Sequence, residues 1–246
     1  MREKVKALWK LCFNDSAAFI DMYFQLRYTD EINVAIQKDT EVISALQMLP
    51  YPMTFCGHIV QTSYISGACT HPDLRGKGTM RELLRRAFDR MFQNDISFST
   101  LIPAEPWLFN YYAQMGYAPV FQRSVEEIPL PSNIPSSEIK MDSISDYQEE
   151  VYQYLNKKLS ERSCCIQHTS DDFRVIMADL GISKGILVIA KKKNAINGLA
   201  IAYNAKESLI INELFAETNE IENSLLYYLK QHSVCNQIIR LLPLNH

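Results

Sequence analysis

The segment that most restricts the fold is Thr79–Phe92, where Met80, Leu83, Leu84, Ala87, Phe88, Met91 and Phe92 recur at three- and four-residue steps. That spacing puts them on one face of a helix, whose other face carries charge. A β pattern from Ile59 to Thr70 precedes it and Ser97–Ile102 reads as a strand after it. The chain between them, Pro72–Gly78, is a tight turn with two glycines. A strand that passes through a glycine turn into an amphipathic helix and on to another strand is the core of an α/β domain with a mixed sheet.

The rest of the first half extends this unit. Asp15 or Ser16 can cap a helix over Ala17–Arg27, Asn33–Gln37 and Glu41–Tyr51 read as a hairpin, Pro106–Met115 as a short helix and Tyr117–Ile128 as one or two strands. Three prolines and three serines between Pro129 and Ser137 then interrupt every periodicity, which predicts a linker over 129–137. At roughly 150 residues per domain, 246 residues accommodate two units, and the expected division is 1–130 and 138–246. After the linker come helices over Ile144–Leu159 and Ser170–Leu180, strands at Ile186–Ala190, Gly198–Tyr203 and Leu209–Phe215, a helix near Ile221–His232, and a strand at Gln237–Leu242. This order resembles the first half. Ser99–Pro103 and Ile239–Pro243 both close a strand-helix-strand run, so the expectation is a duplication in which the second copy has lost the glycine turn.

Composition excludes several classes. Lys and Arg total 25 against 28 Asp and Glu, so charge does not suggest a nucleic-acid or membrane-surface binder. No apolar run reaches the ~18 residues that span a bilayer, and MREKVKALWK has no apolar signal core, so the cytoplasm is the default expectation. The six cysteines fit buried thiols better than a disulfide framework. Cys164, Cys165 and His168 read as a packed helix end, because adjacent cysteines ligate one ion poorly, and no metal is expected. Lys191–Lys193 reads as the solvated end of a hairpin turning through Asn194–Gly198.

The stretch Tyr64–Met80 carries the chemistry. Gly76 and Gly78 let backbone N–H groups converge at a helix start, where unpaired amides and the macrodipole favour an anion. Residues 75–90 add six basic side chains (Arg75, Lys77, Arg81, Arg85, Arg86, Arg90) against Glu82 and Asp89. A pyrophosphate fits this turn.

Arg75-Gly76-Lys77-Gly78, a shortened match to an [RQ]-x-x-G-x-[GA] turn, and the later Tyr112-x-x-x-Gly116-Tyr117, a match to Y-x-x-x-G-[FY], together resemble the signature of the GNAT superfamily of acyl-CoA-dependent N-acetyltransferases. The stretch Thr70–Met80 and the second copy are most similar to the Eis-type branch, which has tandem GNAT modules. The resemblance implies a GNAT fold with a degenerate second module that shapes the acceptor cleft, and acetyl-CoA as co-substrate. It implies that main-chain groups of Ala68, Cys69 and Thr70 pair with the pantetheine arm, and that Arg75, Gly76, Lys77, Gly78, Thr79 and Met80 hold the pyrophosphate. Gly67 is the expected bulge. Tyr112 is the implied general acid beside the thioester sulfur, with Tyr111 pointing roughly 100° away on the helix as its control. The expected acceptor is a small-molecule or peptide amine, with no nucleic acid or membrane as partner, and a homo-oligomer is left open. A non-catalytic acyl-CoA-binding or regulatory protein is the alternative. Eis-type proteins add a sterol-carrier-like domain whose terminal carboxylate is implied in catalysis. This chain stops at His246 and its second module lacks a counterpart of residues 106–128, as a shortened protein would. The general base therefore stays open among Glu105, His71, His58, the terminal carboxylate and a water relay from strand backbone.

Overall fold

A computed structural model describes residues 1–129, 131, 136–234 and 237–243. The heart of the expected linker (130 and 132–135), Cys235 and the terminal carboxylate at His246 lie outside the described residues. Two compact units emerge: Met1–Pro119 with Arg162–His168, and Val120–Glu161 with Thr169–His246.

The first unit opens with α1 (Arg2–Cys12), which the sequence reading passed over although Val5, Leu8 and Trp9 form its buried face. Next is α2 (Ala17–Leu26), capped by Ser16, whose hydroxyl accepts from the Phe19 amide at 3.2 Å. β1 (Asn33–Lys38), β2 (Glu41–Phe55) and β3 (His58–Thr70) form an antiparallel meander. From β3 the chain passes through α3 (Thr79–Gln93) to β4 (Phe98–Thr100), which lies parallel to β3. α4 (Pro106–Ala113) follows, with Pro106 at its first position, where a missing N–H costs nothing. The sheet order is β1-β2-β3-β4.

Two cores flank that sheet. Leu83, Leu84, Ala87 and Met91 of α3 pack with Val34, Leu46, Met48 and Ile65 on one side, and α1 and α2 bury Trp9, Ile20, Tyr23 and Phe24 on the other. Burial of each such large side chain contributes roughly 1.5–3 kcal/mol, so the α3 stripe is enough to dock the helix on the sheet.

β5 (Arg123–Ile128) corrects the expectation that Tyr117–Ile128 completes the first module. It pairs antiparallel with the last strand of the second sheet, with Ile238 opposite Ile128 and Pro243 opposite Arg123, and its residues belong to the second unit. The composition break at 129–137 therefore follows β5, while the units divide ahead of it. β6 (Lys140–Ser143), another element the sequence reading missed, is the opposite edge of that sheet. α5 (Glu149–Ser160) and α6 (Ser170–Ser183) precede β7 (Ile186–Lys192), β8 (Ala195–Ala205) and β9 (Ser208–Ala216). α7 (Asn219–Gln231) then leads to β10 (Gln237–Pro243), parallel to β9.

Two helices, an antiparallel three-strand meander and a helical crossover to a parallel strand thus occur twice, β1 to β4 and β7 to β10. The duplication expected from two short segments is a shared topology. Two smaller readings change. Cys164–Cys165 is no helix end: the Cys165 carbonyl accepts from the Thr54 amide (2.9 Å), and Ile166 bridges to Met53, so this stretch extends the far end of β2 in the first unit. The β7-β8 turn is Lys193–Asn194, both with positive φ (52° and 64°), the pair that a two-residue hairpin requires.

Candidate functional site

A cavity of about 860 Å³ lies within the first unit, at the end of β3 where it meets the start of α3. Its existence follows from the sheet. β4 pairs with β3 only at Thr62–Tyr64, so Ile65–Thr70 continue past the last pairing with β4 and are bonded only on the β2 side. Gly67 helps to shape this open stretch. The β2-β3 register shifts between Ala45 and Gln47, opposite Gly67 and Ala68, and Gly67 has φ +57°, so the expected bulge is present.

Ala68, Cys69, Thr70, Arg75, Gly76, Gly78, Thr79 and Met80, the predicted cofactor residues apart from Lys77, line this one cavity, and Tyr112 lines it as well. Lys77 turns elsewhere, its Nζ donating to the Asp73 carbonyl at 3.0 Å. The turn is ordered by its own bonds. His71 Nδ1 accepts from the Asp73 amide, the Arg75 amide donates to the Pro72 carbonyl, and Arg75 Nε donates to the Thr70 carbonyl at 3.2 Å. Gly76 (φ +75°) and Gly78 (φ +80°) then swing the chain into α3. The amides of Thr79, Met80 and Arg81 precede the first bond of the helix, from the Glu82 amide to the Gly78 carbonyl. A Cβ built on Gly76 or Gly78 would meet nothing within 4 Å, so there is room for a diphosphate against the backbone. The residues present fit the phosphate end of coenzyme A.

The electrostatics are narrower than a count of basic residues implies. Arg85 is paired with Glu82 and Asp89 (3.0 and 2.7 Å), Arg86 with Glu82 (2.9 Å), and Arg90 donates to the Glu31 and Asn33 carbonyls. Arg75 and Arg81 are the cations of this group that line the cavity.

α4 supplies the opposite wall. Tyr112 is half-buried in the α3 core, with its ring edge-on to Tyr117 at 5.7 Å, and burial raises its phenol above the ordinary tyrosine value. Tyr117, the last residue of the tyrosine-glycine motif, shares a 2.6 Å hydrogen bond with Ser99 and is pushed up to about 12, chiefly by burial. Tyr111 does not face away as a helical wheel suggests. It lines the same cavity, with its ring edge-on to that of Tyr112 at 5.5 Å.

Of the proposed bases, Glu105 lines the cavity and His71 caps the short helical turn Pro72–Leu74. His58 begins β3, twelve residues from Thr70 and hence about 40 Å along the strand, too far to serve this cavity. The sequence reading missed Cys12, Phe13, Trp107 and Leu108, which also line it. The i, i+3, i+4 pattern of Val5, Leu8 and Trp9 was the signal for the helix that carries Cys12.

The strand-to-helix passage at the equivalent position of the second unit is built differently. β9 enters α7 through Glu217 and Thr218 with no glycine, and the Thr218 hydroxyl caps the Ile221 amide at 3.3 Å. Glu217 accepts from Asn197 Nδ2 (2.8 Å), Glu220 pairs with Lys192 and Glu222 with Arg240. In place of a glycine turn, this helix start carries its own side-chain cap and three carboxylates.

The family model of the GNAT acetyltransferase domain matches residues 2–120. No curated protein matches the sequence. Among solved structures, the chain is similar to a GCN5-related N-acetyltransferase from Anabaena variabilis (TM-score 0.80, 18% identity, 98% of this chain and 63% of that one). It is also similar to Eis1 from Mycobacterium abscessus (TM-score 0.70, 12% identity, 97% and 63%) and to a tandem GNAT protein from the clavulanic acid biosynthesis pathway (TM-score 0.59, 13% identity, 100% and 87%). The chain spans 63% of the length of the first two. At these identities the likeness is one of fold, and that fold is a tandem GNAT arrangement.

Proposed function

We propose that this chain, residues 2–120 of which belong to the GNAT acetyltransferase family, transfers an acetyl group from acetyl-CoA to a primary amine by direct attack. The observation that carries the reading is the convergence of the glycine turn, the open stretch of β3 and Tyr112 on one cavity. Acetyl-CoA supplies an activated thioester. The amides from Gly76 to Met80 bind its diphosphate, and Arg75 adds a cation beside them. Backbone of Ala68 and Cys69 lies where an extended pantetheine arm adds to the sheet as a strand would. The Thr70 carbonyl already accepts from Arg75 and Cys12, so Thr70 contributes chiefly through its position. Tyr112 keeps its proton until the departing sulfur needs it. The attacking amine must first lose its own proton, and Glu105 is the carboxylate on hand, directly or through water. The acceptor is a small-molecule or peptide amine, and the second module is a degenerate copy without a cofactor site.

Incubation with acetyl-CoA and a panel of amines, with free thiol release as the readout, tests the activity. No thiol release with any amine, despite tight coenzyme A binding, would favour a binding module instead. Replacing Arg75 with Glu is expected to weaken coenzyme A binding by about tenfold or more at low salt and by much less at high salt, since a charge-assisted contact is screened. Titration calorimetry at two ionic strengths reads this. The same titration is expected to give one coenzyme A per chain, because the Glu217–Glu222 helix start is closed to phosphate. A stoichiometry of two removes the degenerate reading of the second module.

A further inference from the structure

The cavity wall holds two sulfur atoms that acyl transfer does not use. Cys12 is the last residue of α1 and Cys69 the penultimate residue of β3, and both line the cavity. Both are free thiols; Cys69 is buried at 6% exposure, and Cys12 is partly open. Cys12 packs against the core cluster that contains Cys69. As a thiol, Cys12 donates to the Thr70 carbonyl at 3.4 Å. Its thiolate is favoured first by the neighbouring Cys69 thiol and then by the Arg75 guanidinium and His71. Together these outweigh its partial burial and hold it below the ordinary thiol value. The carbonyl end of α1 works against the anion, but only in part. Cys69 is shifted the opposite way, by the neighbouring Cys12 and by its own burial.

We propose that Cys12 and Cys69 form a thiol-disulfide exchange site for low-molecular-weight disulfides, with Cys12 as the attacking sulfur and Cys69 as the resolving one. Cys12 Sγ attacks one sulfur of the small disulfide, a Cys12 mixed disulfide forms, and one small thiolate leaves. The departing small thiolate takes the Cys69 proton. Cys69 Sγ then attacks Cys12 Sγ and expels the second small thiolate. The two protein thiols are oxidised to one disulfide, the external disulfide is reduced to two thiols, and the two protein protons end on them. Three features support this order. The attacking sulfur is the more exposed of the two, its anion has a fixed cation beside it, and the resolving sulfur lies in the same cavity wall, one residue before the carbonyl that Cys12 binds. The product ties the end of α1 to β3 in the cavity wall and frees Arg75 from the thiolate. None of this depends on the identity of the acyl donor or acceptor.

Glutathione disulfide added to the reduced full chain at neutral pH, followed by peptide mapping without reductant, tests the site. The expected product is a Cys12–Cys69 linked peptide. In Cys69→Ser the reaction is expected to stop with one glutathione retained on Cys12, and in Cys12→Ser Cys69 is expected to stay reduced. Iodoacetamide competition on the unaltered protein needs no variant. Cys12 is expected to be alkylated about tenfold or more faster than Cys56, which is exposed in the β2-β3 turn. The proposal is overturned if glutathione collects on Cys56 while Cys12 and Cys69 remain reduced, or if Cys69 is alkylated ahead of Cys12.

Discussion

Tyr112→Phe is expected to lower kcat by about 10²–10⁴-fold while the KM for acetyl-CoA changes little, the signature of a lost proton donor that leaves cofactor contacts in place. The phenylalanine ring preserves the packing against Tyr117 and the α3 core, so a folding defect is not the expected cause. Burial raises the Tyr112 phenol, and the neighbouring phenols of Tyr111 and Tyr64 push the same way. A raised value means that the protonated form, the one an acid needs, persists to higher pH than in free tyrosine. The alkaline limb assigned to this group is therefore expected above the ordinary value of about 10. A limb near neutrality that Tyr112→Phe abolishes would contradict the assignment. Because Tyr111 lines the same cavity, Tyr111→Phe is not a silent control. Its expected effect is on KM, with kcat nearly intact, and the two variants are told apart by which constant moves. Equal loss of kcat in both would reduce Tyr112 to one wall residue among several.

Much of this site could be read from the sequence because its determinants are local. A glycine pair before a strongly periodic helix fixes a strand-turn-helix unit whatever surrounds it, and α3 begins at Thr79, one residue before the first apolar position of its stripe. The tyrosine-glycine motif places Tyr112 in the same way. What could not be read depends on distant pairing. Arg123–Ile128 holds two apolar residues, Val125 and Ile128, three positions apart, and nothing within it says that its partner is Gln237–Pro243, more than a hundred residues on. The basic face of α3 looked like a field for a polyphosphate, but Glu82 and Asp89 occupy Arg85 and Arg86, and the carbonyls of Glu31 and Asn33 occupy Arg90. Charge counting along a helix cannot see those partners. The Cys12–Cys69 pair joins residues 57 positions apart, so neither cysteine marks the other in the sequence.

Gly67→Ala is expected to be the most damaging single-methyl change in the first unit. Its added Cβ would fall 2.0 Å from Trp9 Cζ3 and 2.6 Å from Gln47 Oε1, both well inside van der Waals contact. Neither neighbour is a loose end. Trp9 is 5% exposed, its Nε1 donates to Asp15 at 2.8 Å, and its ring packs against Phe13, Tyr23 and Phe24 at centroid distances of 5.0, 4.7 and 5.6 Å. Gln47 is fully buried and donates to Asn33 Oδ1. Overpacking of this kind costs typically about 1–3 kcal/mol and a left-handed φ about 1–2 kcal/mol more, so a loss of roughly 2–5 kcal/mol is expected. Gly57 separates the two contributions, since it too has positive φ (+78°) but a Cβ there meets nothing within 4 Å. Gly57→Ala is expected to lose only the backbone part. Denaturant titration of both variants, following the transition of the first unit, gives the difference, which is the Trp9 clash. If the two alanines cost the same, Trp9 moves aside freely and the bulge is not pinned by α1. If Gly67→Ala alone unfolds the unit, the close approach of β3 backbone to α1 is what holds the open stretch of β3 in the geometry the cavity requires.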